Sequence, residues 1–279
     1  MHAHCSPVTP RARRWFTGAL VISSLVFATA GVNAADTPAA KPADDVAEPA
    51  FDPQAETALR AMSEFLRHQP IIELNCERIL EGVTMDDEKI QVITQVAVQL
   101  QRPGKFKAEL KMANGSTTWC GVDGRIVSVC EPDHRTSEIT GLPVTIDGML
   151  DAASERYHLS LVLADLVASD PMASFKQGTL SGRYLGQATI DGVPCLHLAY
   201  RAKNLDWQLW IEAGKTPLPR RLVITYNGQS MAPQQTLANL RWSFPTTLPA
   251  DTFILAPPAG ATVMEMKEFL SYLRTRVMP

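Results

Sequence analysis

The chain has 279 residues, of which 46% are hydrophobic and 20% charged, and its formal net charge is −3. A mildly acidic chain without a basic block is a poor partner for nucleic acid. The length suits one large β domain or two small ones, with about 70% of the chain's surface buried on folding.

Arg11, Arg13 and Arg14 precede an apolar stretch, Trp15–Ala30, of 16 residues. That is too short for a comfortable membrane span. Val32-Asn33-Ala34 supplies small residues for cleavage, so residues 1–34 read as a secretory signal peptide, with an uncleaved N-terminal anchor as the alternative. Cys5 lies before the apolar stretch and so cannot be an acylated cysteine following a lipoprotein cleavage site. The expectation is an exported periplasmic protein with no stable span in its mature chain. Ala35–Ala50, rich in Pro, Ala and Asp, reads as a disordered tether.

Folding is expected to begin at Phe51. Asp52 can cap a helix with Pro53 as its first residue, where a missing N–H costs nothing. Ala55, Leu59, Met62 and Leu66, flanked by Ala58 and Phe65, make one apolar stripe, and Pro70 follows its end. Ile71–Val83 reads as a strand and Thr84–Glu88 as a turn. Ile90, Val92, Val96, Val98 and Leu100 then share one parity, interrupted by Thr94, while Gln91, Gln95, Gln99 and Gln101 dominate the other. Such a strand has one buried and one solvated face. Arg102 falls on the apolar parity just before Pro103, which ends the strand. Its guanidinium sits at the rim of the apolar face if the register holds that far; a slip of one residue makes it an ordinary loop arginine in solvent.

Phe106–Met112 is the next strand, with Asn114-Gly115 as its turn. Thr117–Val122 and Arg125–Cys130 flank Asp123-Gly124, a strong two-residue hairpin signal. That register sets Cys120 opposite Val127 and Cys130 opposite Thr117. The two cysteines then lie on opposite faces, which disfavours a disulfide between them.

The run RPGKF, VDGR and CEP resembles the outer-membrane lipoprotein carrier superfamily, in which an Arg-Pro-x-x-Phe turn precedes an Asp-Gly hairpin and a Pro-ended strand. The second half is more specific. Leu150–Pro171, Gly192–Arg201, Asp206–Ile211, Pro217–Tyr226 and Pro257–Ala261 together resemble DUF2092, a family of predicted periplasmic proteins assigned to the same fold. The resemblance covers 51–261, which leaves 262–279 as a C-terminal extension. It implies an α+β fold: a strongly curved antiparallel sheet forming a half-closed β-barrel, with helices plugging the concave face. It also implies that Arg102, at the family's RP turn, hydrogen-bonds a helical lid and holds it closed.

The cysteines depart from the family pattern. Cys195 stands where the family commonly has one; Cys120 and Cys130 replace aromatic or apolar strand residues, and Cys76 is unexpected. Pairings of Cys76 with Cys130 or with Cys120, each leaving Cys195 to the other, stay open beside four free buried thiols.

The remaining elements follow by periodicity. Ile146–Tyr157 and Leu159–Ser169 read as lid or plug helices, the second broken by Asp170-Pro171. Strands are expected near Tyr184–Ile190, Val193–Ala202, Leu205–Ala213, Arg220–Asn227, Thr236–Phe244 and Thr252–Ala256. In the Leu205 strand, Leu205, Trp207, Leu209 and Ile211 share one parity, and Asp206, Gln208 and Trp210 the other. Val263, Met266, Phe269, Leu270 and Leu273 suggest a C-terminal amphipathic helix, which could pack on the body, cover a sheet edge, or meet a partner or membrane surface.

A catalytic site is not legible. There is no HExxH, CxxC, G-x-S-x-G elbow or phosphate-cradling glycine loop, and among His68, His134, His158 and His197, the histidines beyond the expected signal peptide, no pair stands at metal-ligand spacing. Cys195 and His197 share a strand parity but lack a third orienting group. No enzyme activity, metal or cofactor is expected. The favoured reading is a carrier that holds an acyl chain, lipid or lipoprotein in an apolar concavity. The alternative is an envelope interaction module with a filled core, docking on a partner protein. Candidate residues for latch and lining are Arg102, Phe106, Leu150 and Leu163. Trp119, Trp207 and Trp210 join them if they line a pocket rather than fill a core. Asp165, on an apolar helix, joins them if it does not simply face solvent.

Overall fold

The computed structural model describes residues 51–84, 86–123, 127–131, 134–141, 143–157, 163–255, 257 and 259–277. The expected signal peptide and tether lie outside the described residues, as do 158–162 of the second expected lid helix.

Helix α1 (Pro53–Arg67) starts as its cap demands: Gln54 N donates to Asp52 Oδ1 at 2.8 Å. Its stripe is fully used, with Ala55, Leu59, Met62 and Leu66 wholly buried. Each large side chain so buried contributes about 1.5–3 kcal/mol. Strands β1 (Ile71–Val83) and β2 (Lys89–Gln101) form a long hairpin, paired without slippage from Ile71–Gln101 to Val83–Lys89. Strands β3 (Lys105–Met112), β4 (Thr117–Asp123), β5 (Val127–Glu131) and β6 (Arg135–Ile139) continue as a meander.

Helices α2 (Ile146–Tyr157), α3 (Ala164–Val167) and α4 (Pro171–Lys176) interrupt the strands. A second meander follows: β7 (Thr179–Ile190), β8 (Val193–Ala202), β9 (Asp206–Glu212), β10 (Pro219–Thr225) and β11 (Gln234–Ser243). Asp191 and Gly192, both at positive φ, close the β7–β8 hairpin between Ile190 and Val193. That conformation matches the twist of the strands they join. The chain ends in β12 (Thr262–Val263) and α5 (Met266–Val277).

Among the described residues the strands make one sheet, in the order β12-β6-β5-β4-β3-β2-β1-β11-β10-β9-β8-β7. All pairings between these strands are antiparallel except β12 on β6, and an isolated parallel bridge joins Phe51 to Gly182. The two end strands, β7 and β12, do not pair with each other, so the barrel stays open. The expected curved, incompletely closed sheet with helices on its concave side is what the chain forms. A single hydrophobic cluster joins α1, α2, α3, α4 and α5 to the inward parities of the strands.

Three expectations are corrected. The β4–β5 hairpin is longer than a two-residue Asp123-Gly124 turn allows. Val122 pairs with Val127, Cys120 with Val129 and Trp119 with Cys130. Alternation still separates positions 120 and 130 onto opposite faces. Thr252–Ala256 is not a strand in its described part. Thr252 N and Ile254 N donate back to Pro249 O and Asp251 O, so these amides are spent in turns rather than on a neighbouring strand. The second lid helix is shorter, its described part being Ala164–Val167, and Asp170 caps a separate α4 that begins at Pro171. The C-terminal segment takes one of its expected placements and packs on the body: Thr262 N donates to His134 O at 2.6 Å, and Phe269 is fully buried.

Candidate functional site

The concave floor follows from register. Cross-strand partners share a face, and in β1, β2 and β3 that face carries the even-numbered residues. Leu74, Cys76, Val96, Val98, Leu100, Phe106 and Ala108 are all buried there. On the other side of β1 the floor continues through Leu237 and Leu222 to Leu209 and Leu198.

The rim is built on Arg102-Pro103-Gly104. The half-buried Arg102 donates from Nε to Gln69 O and from Nη2 to Ala168 O, each at 3.2 Å. These carbonyls lie just past the ends of α1 and α3, where helices leave acceptors unsatisfied. Pro103 O accepts from Ile146 N at 2.8 Å and so fixes the first residue of α2. Gly104 matters for space, because a Cβ there would stand 1.9 Å from Val144 O. Asp147, one residue into α2, accepts from Ser169 N at 2.9 Å and from Ser169 Oγ. Desolvation lowers the pKa of Arg102, and the nearby Asp147 carboxylate opposes that shift. One strand-end turn thus grips both described ends of the α2–α3 segment. α4 is tied separately to α1, through Met172 N on Ser63 Oγ and the Lys176–Glu56 ion pair.

The other candidates divide by face. Phe106 and Leu150 are buried in the concave cluster, and Leu163 is half-buried against it. Trp207 is also inward but 2% exposed, stacked on Tyr200 at 3.9 Å and tilted on Phe175 of α4 at 4.9 Å. It fills core under α1 and α4. Trp119 and Trp210 are not on the concave face, which corrects their inclusion. Trp119 has the parity opposite to Val122, and its Nε1 donates to Glu109 Oε2 at 3.1 Å. Trp210 stacks on His197 on the outer face, with ring centroids 4.1 Å apart. The Trp210 error was visible in the sequence, since that residue shares its parity with Asp206 and Gln208.

Asp165 is half-buried on α3. Loss of hydration pushes its carboxyl up to about 7, and it makes no hydrogen bond or ion pair among the described residues. Cys76 and Cys195 are free thiols, so neither of the pairings left open between the cysteines forms. Burial pushes the Cys76 thiol up to about 12. Cys195 Sγ lies 3.4 Å from Val193 O, while His197 Nε2 bonds Gln208 Oε1. Among the described residues no cluster of His, Cys, Asp and Glu could hold a metal ion.

The sequence reading passed over three inward polar residues. Arg78, on the parity of Leu74, Cys76 and Leu80, is flanked by Thr94 on β2 and Leu237 on β11. Its Nη2 donates to Gln235 Oε1 at 3.2 Å. Burial lowers the Arg78 pKa and raises that of Tyr226; each acts on the other, and Asp165 acts on Tyr226 as well. The signal for Arg78 was available, as a charge on the apolar parity of a strand.

This geometry can be set beside known proteins. A family described as "Predicted periplasmic protein (DUF2092)" matches residues 55–267. The chain belongs to this family. As a DUF2092 protein it is periplasmic, and no helix among its described residues is long and apolar enough to cross a membrane. Among solved structures it is similar to the lipoprotein LppX of Mycobacterium tuberculosis, at 13% identity and a TM-score of 0.45, covering 71% of this chain and 100% of that one. It is also similar to LprF of Mycobacterium bovis, at 14% identity and a TM-score of 0.45, covering 73% and 98%. A LolA superfamily protein from Nitrosomonas europaea is 12% identical with a TM-score of 0.36, covering 72% and 97%. No curated protein matches the chain.

Proposed function

We propose that this DUF2092 protein is a non-catalytic carrier that holds a hydrophobic ligand (an acyl chain, lipid or lipoprotein) on its concave apolar face beneath the α2–α3 segment. The observation behind this reading is the clamp at the rim. The covering segment is fastened by hydrogen bonds from one turn, Arg102 to Ala168 O and Ile146 N to Pro103 O, rather than by strand pairing. Such bonds exchange with water at a net cost of about 0.5–3 kcal/mol each, so the segment can open without unfolding the sheet. Release of Arg102 would lift α3, the tail would enter by burial alone at about 0.8 kcal/mol per methylene, and the clamp would re-form over it.

Uptake of a fluorescent fatty-acid probe by the purified protein tests this, together with altered probe retention in Arg102→Leu. Absence of uptake in both proteins, with an interior shown to be filled by side chains, would sink it. A second reading, an envelope interaction module with a packed interior, is favoured by Phe175, Trp207 and Phe269, all inside the cluster. Mass spectrometry of natively purified protein separates the two, since a carrier leaves its host with a copurifying lipid.

A further inference from the structure

Gln235 is 3% exposed, and its Nε2 has no hydrogen-bond partner among the described residues. Its Oε1 accepts from Arg78, which leaves the amide donor beside a guanidinium that makes no other described hydrogen bond and no ion pair. An unpaired cation and an unspent amide donor inside an apolar sheet face are a standing cost. A buried polar group without a partner costs about 1–3 kcal/mol, and a charge more. The paired strands supply no carboxylate beside Arg78 or Gln235. The cross-strand neighbours are Thr94 and Leu237 for Arg78, and Leu80 and Ile224 for Gln235. Tyr226, within the field of both the guanidinium and the Asp165 carboxyl, adds a phenolic donor with no hydrogen-bond partner among the described residues. The set is rich in donors and short of acceptors, which is the composition of an oxyanion receptor.

Its place on the floor says what the oxyanion is attached to. From Arg78 the inward parity of β1 runs through Cys76 and Leu74 to Ile72, all buried and apolar, towards the Arg102 rim. Six residues of strand span about 20 Å. A polar receptor at one end of an apolar track of that length fits an amphiphile with an acidic head and a long hydrocarbon tail.

We propose that Arg78, Gln235 and Tyr226 bind the acidic head of the ligand, with its tail lying along the floor towards Arg102. The inference rests on the carrier reading and narrows it to acidic amphiphiles. The guanidinium and the Gln235 amide each donate to one oxygen of the head, and the tail covers Cys76 and Leu74.

The test compares cis-parinaric acid with its methyl ester, two fluorescent probes with the same chain, on the folded mature protein. The acid binds about tenfold or more tightly than the ester, as a charge-assisted contact requires. Arg78→Met brings the two within about twofold by weakening the acid while leaving the ester unchanged. Should Arg78→Met fail to fold, Gln235→Leu decides, with a several-fold loss for the acid alone. Acetate and inorganic phosphate at the same concentrations do not displace the acid. Equal wild-type affinities for acid and ester overturn the inference and leave the carrier reading standing, as does an acid preference that survives a folded variant. Displacement by acetate or phosphate overturns the amphiphile, because the tail would then add nothing. Binding of neither probe removes the carrier reading and this inference with it.

Discussion

Asp165→Asn should stabilise this protein by an amount that grows from about pH 4 to about pH 7 and is absent in strong acid. Burial raises the Asp165 carboxyl from 3.8 to about 7 in the folded state. Between those values the unfolded chain has this group ionised while the folded chain holds it protonated. Folding therefore takes up a proton, and stability falls as pH rises, by about 1.4 kcal/mol for each pH unit. Through the whole interval the loss reaches about 4 kcal/mol. The side chain is only half-buried, and water screening reduces that to about 2 kcal/mol. Asparagine keeps the shape and lacks the titration. Urea denaturation at about pH 8 should show the variant more stable by about 2 kcal/mol. At about pH 2.5 or below, where the carboxyl is protonated in both states, the two proteins should unfold alike. An unchanged midpoint at pH 8, or the same gain at both pH values, would refute the desolvation argument.

Arg102→Met should lower stability by about 2 kcal/mol, because two carbonyls lose a charged donor at a half-buried site; denaturant midpoints check it, and faster hydrogen exchange in α2 and α3 than in β1 marks the loss as local. Gly104→Ala should destabilise by more than about 2 kcal/mol, since its Cβ would overlap Val144 O; an unchanged melting temperature would show that the α2 entry does not press on this turn. Cys76 should resist alkylation in the native protein at neutral pH and react in denaturant without reductant, as judged by intact mass. Failure to react in denaturant would mean that this thiol is oxidised.

Much of the sheet was legible in the chain because strand alternation is local. Ile71–Val83, Val193–Ala202 and the helix Ile146–Tyr157 fall where apolar periodicity and turn residues place them. What escaped were features whose partners are remote. The Asp123-Gly124 signal marked a turn but not its length, which the pairing of Val122 with Val127 decides. Thr252–Ala256 has strand composition yet spends its described amides in turns. Trp119 reads as a pocket aromatic until the parity of Val122 turns it outward.

The sequence by itself determined which residues of each strand share a face, where α1 begins, and that Arg102 ends a strand on its apolar side. These are properties of neighbouring residues, set by a two-residue or 3.6-residue period and by Asp and Pro at a helix start. Tertiary structure decided what those faces meet. Ala168 O is 66 residues from Arg102, and Gln235 is 157 from Arg78. No local pattern encodes either contact. Each exists because a curved sheet brings β11 beside β1 and lays α3 against the strand-end turn, so that polar residues isolated along the chain meet in space.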